Sequence, residues 1–365
     1  LRAVAALLVV LVHASLPHIG IEDVMAPGTP QWLGFFRYTG VFGVDLFFVI
    51  SGFIMLVTNW NSFAKPNSGT RFFIRRAIRI YPPYWLALVP ILPVYFLARD
   101  RYMVSHVGVK MGIVQSLLLL PQQTHFILPV AWTLVWEMIF YVVFAQMLRL
   151  DRRYIVPALG VWFVVELALN VAFGHAANFY LYFLSSPLPL EFIVGALIGV
   201  LYAHRRMPLA FPLGALGVVG IVAAWIPVSS MQLNLDPQFM PRVLLFGIPA
   251  ALIVYAAVAL EVQGTFRAPL AFTTVGDASY AMYLWHVSLL VVIRNVIARF
   301  APHGFVAHVV VIAATLATVV VFGLGIYRFF EKPVTSRLNR LLDARLPSRI
   351  VVPAPAVARI EGTSA

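Results

Sequence analysis

Nothing but apolar residues separates an arginine from a histidine, Arg2 and His13, in LRAVAALLVVLVHA. An ionisable side chain at membrane depth is costly and is a functional candidate by default. Eleven steps at ~100° per residue return to within ~20° of the same helix face, with a rise of ~16 Å. Arg2 is expected at a membrane surface and His13 near mid-bilayer on that face. A neutral imidazole is a general base near physiological pH. A carboxylate on its other ring nitrogen would fix the tautomer and steady the imidazolium. Two acids are candidates, Asp45 in GVFGVDLFFVISGF and Glu137 in AWTLVWEMIFY.

A second chemistry lies in RFFIRRAIRIYPPYW. Arg71, Arg75 and Arg79 are spaced i, i+4, i+8 and share a helical stripe, with Arg76 beside it. Guanidinium groups suit phosphate through bidentate hydrogen bonds. The same residues also fit an ordinary basic flank touching lipid headgroups. Pro82 and Pro83 suit the first turn of a new helix, and Tyr84 and Trp85 an interfacial belt. Ser51 is either a nucleophile or a hydroxyl bonded to a backbone carbonyl, and Gly52 reads as a close helix contact. Glu191 suits a helix N-terminus. His286 reads as a helix contact, Glu166 has no evident partner, and Arg294 could pair with either acid. An oxyanion donor is expected in a buried arginine or the Trp132 N–H.

The elements that must position these residues are membrane helices. Hydrophobic residues make up 61% of the 365 and charged residues 11%, far from the soluble average. The fold class read here is an all-α polytopic membrane protein of about ten spans. They fall near 1–16, 40–58, 80–98, 129–148, 154–173, 187–203, 208–227, 242–260, 280–298 and 306–328. The stretch 105–120 reads as a re-entrant or interfacial helix. The chain starts at Leu1 within apolar sequence, so a short preceding piece is expected. Segment 1–16 shows no cleavage site of a signal peptide. Absence of cysteine excludes disulfides, thiolate metal sites and a cysteine nucleophile.

With both termini cytoplasmic, the 26 basic residues fall mostly inside, leaving Arg37, Arg99, Arg101, Lys110, Arg242, Arg294 and Arg299 elsewhere. The net charge of +12 then reports orientation and anionic lipid rather than nucleic acid. Residues 1–334 read as the membrane domain and 335–365 as a cytoplasmic tail, partly disordered around Pro353 and Pro355.

This topology places His13, Asp45 and Glu137 at depths of roughly 14, 8 and 12 Å below the outer face. A shared polar chamber in the outer half is expected. Three readings fit it: an enzyme site, the proton relay of a transporter or flippase, and a structural helix–helix pairing.

Taken together, these segments resemble the membrane-bound acyltransferase 3 family of bacterial O-acyltransferases. The resemblance rests on the Arg2–His13 spacing, FGVDLFFVISGFIM at 42–55, RFFIRRAIRIYPPYW at 71–85 and WTLVWEMIFY at 132–141. LPLEFIVGALIG at 188–199, GDASYAMYLWH at 276–286 and FFEKPV at 329–334 add to it, and the match covers nearly the whole chain. Within the family it is most similar to exopolysaccharide acetyltransferases acting on succinoglycan-type polymers.

The resemblance implies a multi-pass protein of the bacterial inner membrane. It would move an acyl group, usually acetyl, from cytoplasmic acetyl-CoA to a hydroxyl of a glycan or an undecaprenyl-linked saccharide. It also implies that Arg2 and His13 are the essential pair. No metal is expected. Direct transfer is predicted, with His13 as base, Asp45 or Glu137 orienting it, and Arg71, Arg75, Arg76 and Arg79 on the CoA phosphates. Some relatives carry an added hydrolase-like domain. The tail here is too short for one, so the membrane domain is expected to complete transfer itself.

Overall fold

The computed structural model describes residues 1–15, 40–93, 109–123, 126–230, 240–300 and 304–346. Every regular element among them is helical. In lipid, backbone polar groups must be bonded within the segment, and a helix does this for every long apolar run. The helices used below are α1 (Arg2–Ala14), α2 (Phe42–Asn59), α3 (Ser68–Leu88), α4 (Val109–Leu118) and α5 (Trp132–Met147). They continue with α6 (Ile155–Phe173), α7 (Phe179–Leu184), α8 (Pro189–Ala203), α9 (Ala210–Ser230) and α10 (Ile248–Val262). The last are α11 (Leu270–Asp277), α12 (Ser279–Ile297), α13 (Gly304–Ile326) and α14 (Lys332–Arg345). A π-helical turn, Val243–Gly247, leads into α10, and another, Tyr327–Glu331, joins α13 to α14.

Among the described residues, 8 helical stretches are long and apolar enough to cross a bilayer. The protein is an all-α polytopic membrane protein. Two expected spans take other forms. The first is α1, 13 residues long. The span expected at 80–98 belongs to α3, which starts at Ser68, and residues 94–98 lie outside the described residues. Pro82 and Pro83 lie inside α3 and do not open a new helix. Membrane helices tolerate interior proline where neighbours supply the missing bonds. The carbonyls these prolines leave without a helical partner are those of Ile78 and Arg79; one residue on, the Tyr280 hydroxyl of α12 fastens the stretch by donating to the Ile80 carbonyl at 2.9 Å.

The stretch expected to be a re-entrant or interfacial helix contains α4, 10 residues long and too short to span. Its terminal carbonyls would be orphaned. Aromatic donors from α3 satisfy them: Tyr84 bonds the Ser116 carbonyl at 2.6 Å, Trp85 that of Leu117 at 3.0 Å, and Tyr81 that of Leu118 at 2.9 Å. The pair read from sequence as an interfacial belt thus holds a helix end.

The core is built around α2 and α8, which pack most extensively. A Cβ on Gly52 would lie 2.0 Å from the Phe192 carbonyl oxygen, and one on Gly195 2.0 Å from that of Val49. Backbone touches backbone at both points, so only glycine fits. Helix α1 packs against α2, α11, α12 and α13, burying Ala3, Ala5 and Ala6 completely or nearly so. Small residues on that side seat α1, and with it Arg2 and His13, inside the bundle. Helix α14 packs on α3 and runs across position 334, where the sequence suggested a domain limit. The tail from 347 to 365 lies outside the described residues.

Candidate active site

A cavity opens among α1, α2, α3, α5 and α12. Arg2, Arg76 and Arg79 line it, with Ser51, Glu137, Tyr141 and Tyr283. Glu137 Oε1 accepts from the Ser51 hydroxyl at 3.0 Å and from the Tyr141 hydroxyl. Ser51 therefore bonds the Glu137 carboxylate rather than a backbone carbonyl. The Arg76 guanidinium lies over the rings of Phe72 and Tyr141, at 5.5 and 5.8 Å, a cation–π arrangement. Arg2 has Arg79 as its like-charged neighbour and Glu137 and Glu331 as its acids. The cavity thus carries three guanidinium groups and one carboxylate on its wall.

His13 does not line this cavity. Its ring makes an edge contact with His286, centroids 4.8 Å apart, and His286 in turn lies 5.8 Å from the Tyr283 ring on the cavity wall. His13 Nδ1 lies 2.8 Å from the Val9 carbonyl, one turn back on α1. Neither Asp45 nor Glu137 hydrogen-bonds it. The carboxylate partner expected from sequence is replaced by a backbone carbonyl, which performs the same selection. A carbonyl can only accept, so the proton sits on Nδ1 and the lone pair on Nε2. His286 is held alike, Nδ1 2.6 Å from the Tyr283 carbonyl. Its contact with the candidate base was not visible in its spacing.

Asp45 is committed elsewhere. Arg242 Nε donates to Oδ1 at 2.9 Å and Nη2 to Oδ2 at 3.0 Å, with both side chains essentially excluded from solvent. Glu191, in the first turn of α8, completes a buried group with Asp45 and Arg242. Its carboxylate lies where a Cβ on Gly247 would be, 2.6 Å from Oε1. The π-helical turn beginning at Val243 follows Arg242 directly, and π-turns concentrate at functional sites. The expected shared chamber is thus divided: Glu137 in the cavity, Asp45 in an ion pair, and His13 against His286. Depth along a helix says nothing of rotation about it. The sequence reading missed Arg242, whose signal was an uncompensated Asp45 elsewhere at depth. Arg294 pairs with neither acid, and Glu166 accepts from Trp162 Nε1 at 2.7 Å on its own helix. Arg242 Cζ lies 5.8 Å from the ring centroid of Trp132.

The basic stripe is also divided. Arg71 Nη2 and Arg75 Nη2 both donate to Asp343 Oδ1 of α14, at 2.6 and 2.7 Å, and Arg71 Nη1 donates to the Leu346 carbonyl at 3.0 Å. Arg75 Nη2 also reaches Oδ2 at 3.0 Å. The hydrogen bond from Arg75 holds the Asp343 carboxyl below its ordinary value. Arg76 and Arg79 instead turn to the cavity. Among the described residues no three His, Asp or Glu side chains are grouped as a metal site.

Comparison with known proteins decides what kind of machine this is. The model of the acyltransferase 3 family, described as an acyltransferase domain, matches residues 1–327. The chain belongs to the acyltransferase 3 family. It is a membrane-bound O-acyltransferase. This acyltransferase is 31% identical to the exopolysaccharide production protein ExoZ of Rhizobium meliloti (strain 1021) over 315 residues, 82% of this chain and 90% of the relative. No solved structure matches it. The family match holds Arg2, His13, the arginines of α3 and Glu137. It ends before α14, so the helix that clasps Arg71 and Arg75 lies outside the acyltransferase match.

Proposed function

We propose that this acyltransferase moves an acetyl group from acetyl-CoA to a hydroxyl of a cell-surface glycan or its lipid-linked precursor. It would work in the bacterial inner membrane, with ten spans and both termini cytoplasmic, and the donor would enter at the arginine end. The printed name of the Rhizobium relative supports a glycan of the exopolysaccharide class as acceptor. The observation that carries this reading is the line from the arginine-walled cavity through Tyr283 and His286 to His13.

Arg2, Arg76 and Arg79 would hold the donor's phosphates by charge-assisted hydrogen bonds, with Glu137 spacing them. Arg71 and Arg75 would add to the positive field from the α14 side. Asp45 would act through Arg242, holding α2 against the start of α10. His13 Nε2 takes the proton of the acceptor hydroxyl as its oxygen bonds to the acyl carbon. The carbon–sulfur bond breaks, the sulfur leaves with the electron pair, and the proton on His13 passes to it. The imidazole ends neutral, and no acyl-enzyme is needed.

The test is purified chain with acetyl-CoA and the glycan from a deletion strain, read by mass spectrometry. Added acetyl on glycan is expected. Unmodified glycan in that assay, with saccharide accumulating inside the deletion strain, would replace this reading with a transporter.

A further inference from the structure

Beyond the cavity lies a second space, a cleft among the end of α2, α3 and α14. Arg76 and Arg79 line both spaces, so the two adjoin. On one side the cleft has Arg75, Arg76 and Arg79, and on the other Thr335 and Asn339. Thr335, Asn339 and Asp343 are spaced i, i+4, i+8 and so share one face of α14. Asp343 at the end of that face docks the helix on Arg71 and Arg75. On the same face, the Thr335 hydroxyl and Asn339 Oδ1 are buried atoms with no hydrogen-bond partner. Buried polar atoms left unpaired are costly and call for an explanation.

The two walls ask for different things. With Arg75 bonded to Asp343, the guanidinium groups of Arg76 and Arg79 ask for negative charge on a ligand. Asn339 Oδ1 accepts only, so it asks for an N–H or O–H donor on the same ligand. A phosphate monoester dianion brings the charge without the donor. An ammonium headgroup brings the donor with a charge the arginines repel. A nucleotide brings both, since phosphates and the exocyclic amine of adenine sit on one molecule, and asparagine pairs well with adenine.

We infer that α14 is the nucleotide-reading wall of the donor site, Asn339 bonding the adenine and Thr335 the ribose or its phosphate at the adenosine end of coenzyme A. This rests on the acetyl-CoA reading above and extends it to residues beyond the family match.

The experiment uses the full chain in detergent, titrated calorimetrically with coenzyme A and, separately, with 4′-phosphopantetheine, which lacks the nucleotide. Asn339→Leu should weaken coenzyme A binding by about tenfold and Thr335→Val by a few-fold, the scale of one or two hydrogen bonds. Phosphopantetheine binding should be unchanged in both, which also reports that the variants are folded. Should Asn339→Leu fail to fold, Thr335→Val carries the test. If both ligands bind the folded variants as they bind the unaltered chain, α14 does not read the nucleotide and the donor reading survives. If the unaltered chain binds no coenzyme A, both fall together.

Discussion

Asp45 and Arg242, 197 residues apart, meet in a buried bidentate ion pair with nitrogen–oxygen distances of 2.9 and 3.0 Å. The pair ties α2 to the π-helical turn that opens α10, with Glu191 of α8 at its side. Removing one partner of such a pair leaves an uncompensated charge in a medium that cannot solvate it. The loss is typically ~3–5 kcal/mol, whereas replacing both partners by apolar residues is far milder. Arg242→Met should therefore lower the melting midpoint in detergent sharply. Asp45→Leu combined with Arg242→Met should recover much of the loss. Equal midpoints for Arg242→Met and the unaltered chain would mean that the pair holds nothing together.

His13→Gln keeps a polar side chain of similar reach and removes the base. Positioned general bases contribute ~10²–10⁴ in rate, so acetyl transfer to glycan should drop by that factor with the melting midpoint little changed. The change removes the whole imidazole and leaves the Val9 carbonyl in place, so the deficit reports the loss of the ring. Retained turnover would remove His13 from the chemistry.

The division of the arginine stripe predicts two phenotypes. Arg76→Gln and Arg79→Gln delete groups on the cavity wall and should raise the KM for acetyl-CoA about 10- to 100-fold, as expected for a lost charge-assisted bond. Arg71→Gln touches only the α14 clasp and should change KM less while loosening α14. Equal KM effects at Arg71 and Arg79 would mean that the stripe acts as one undivided field.

The docking of α14 carries a pH signature. The Asp343 carboxyl is lowered from its ordinary 3.8, first by the Arg75 hydrogen bond. A group depressed in the docked state stabilises it fully above the undocked value and loses that contribution as pH falls through the docked value. Docking should therefore be flat from neutral pH down to about 4 and weaken only below it. The chain has no cysteine, so single cysteines placed on α3 and α14 can carry a distance label. Asp343→Asn should loosen the helix at neutral pH and abolish the acid transition. A transition unaltered by Asp343→Asn would assign it to another carboxylate.

Sequence by itself determined the membrane class and, within a few residues, most of the spans. Long apolar runs admit one solution in lipid, and the helix from Phe42 to Asn59 or from Ser279 to Ile297 follows from hydropathy alone. It also singled out Arg2, His13, Asp45, Glu137 and the arginines of α3, because ionisable groups at depth are rare enough to stand out. The family was readable in motif order, and the family match confirms it.

Which of those groups meet was decided only by tertiary structure. Spacing fixes depth along one helix, but rotation and tilt are set by packing, here by Gly52 and Gly195 pressing α2 onto α8. That packing sends Asp45 to Arg242, leaves Glu137 to Ser51 and the cavity, and brings His286 to His13. Likewise, a stripe drawn on an isolated helix cannot show that Asp343, 268 residues beyond Arg75, takes half of it. Contacts between distant segments depend on side-chain fit across the bundle, and no periodicity within a single helix encodes them.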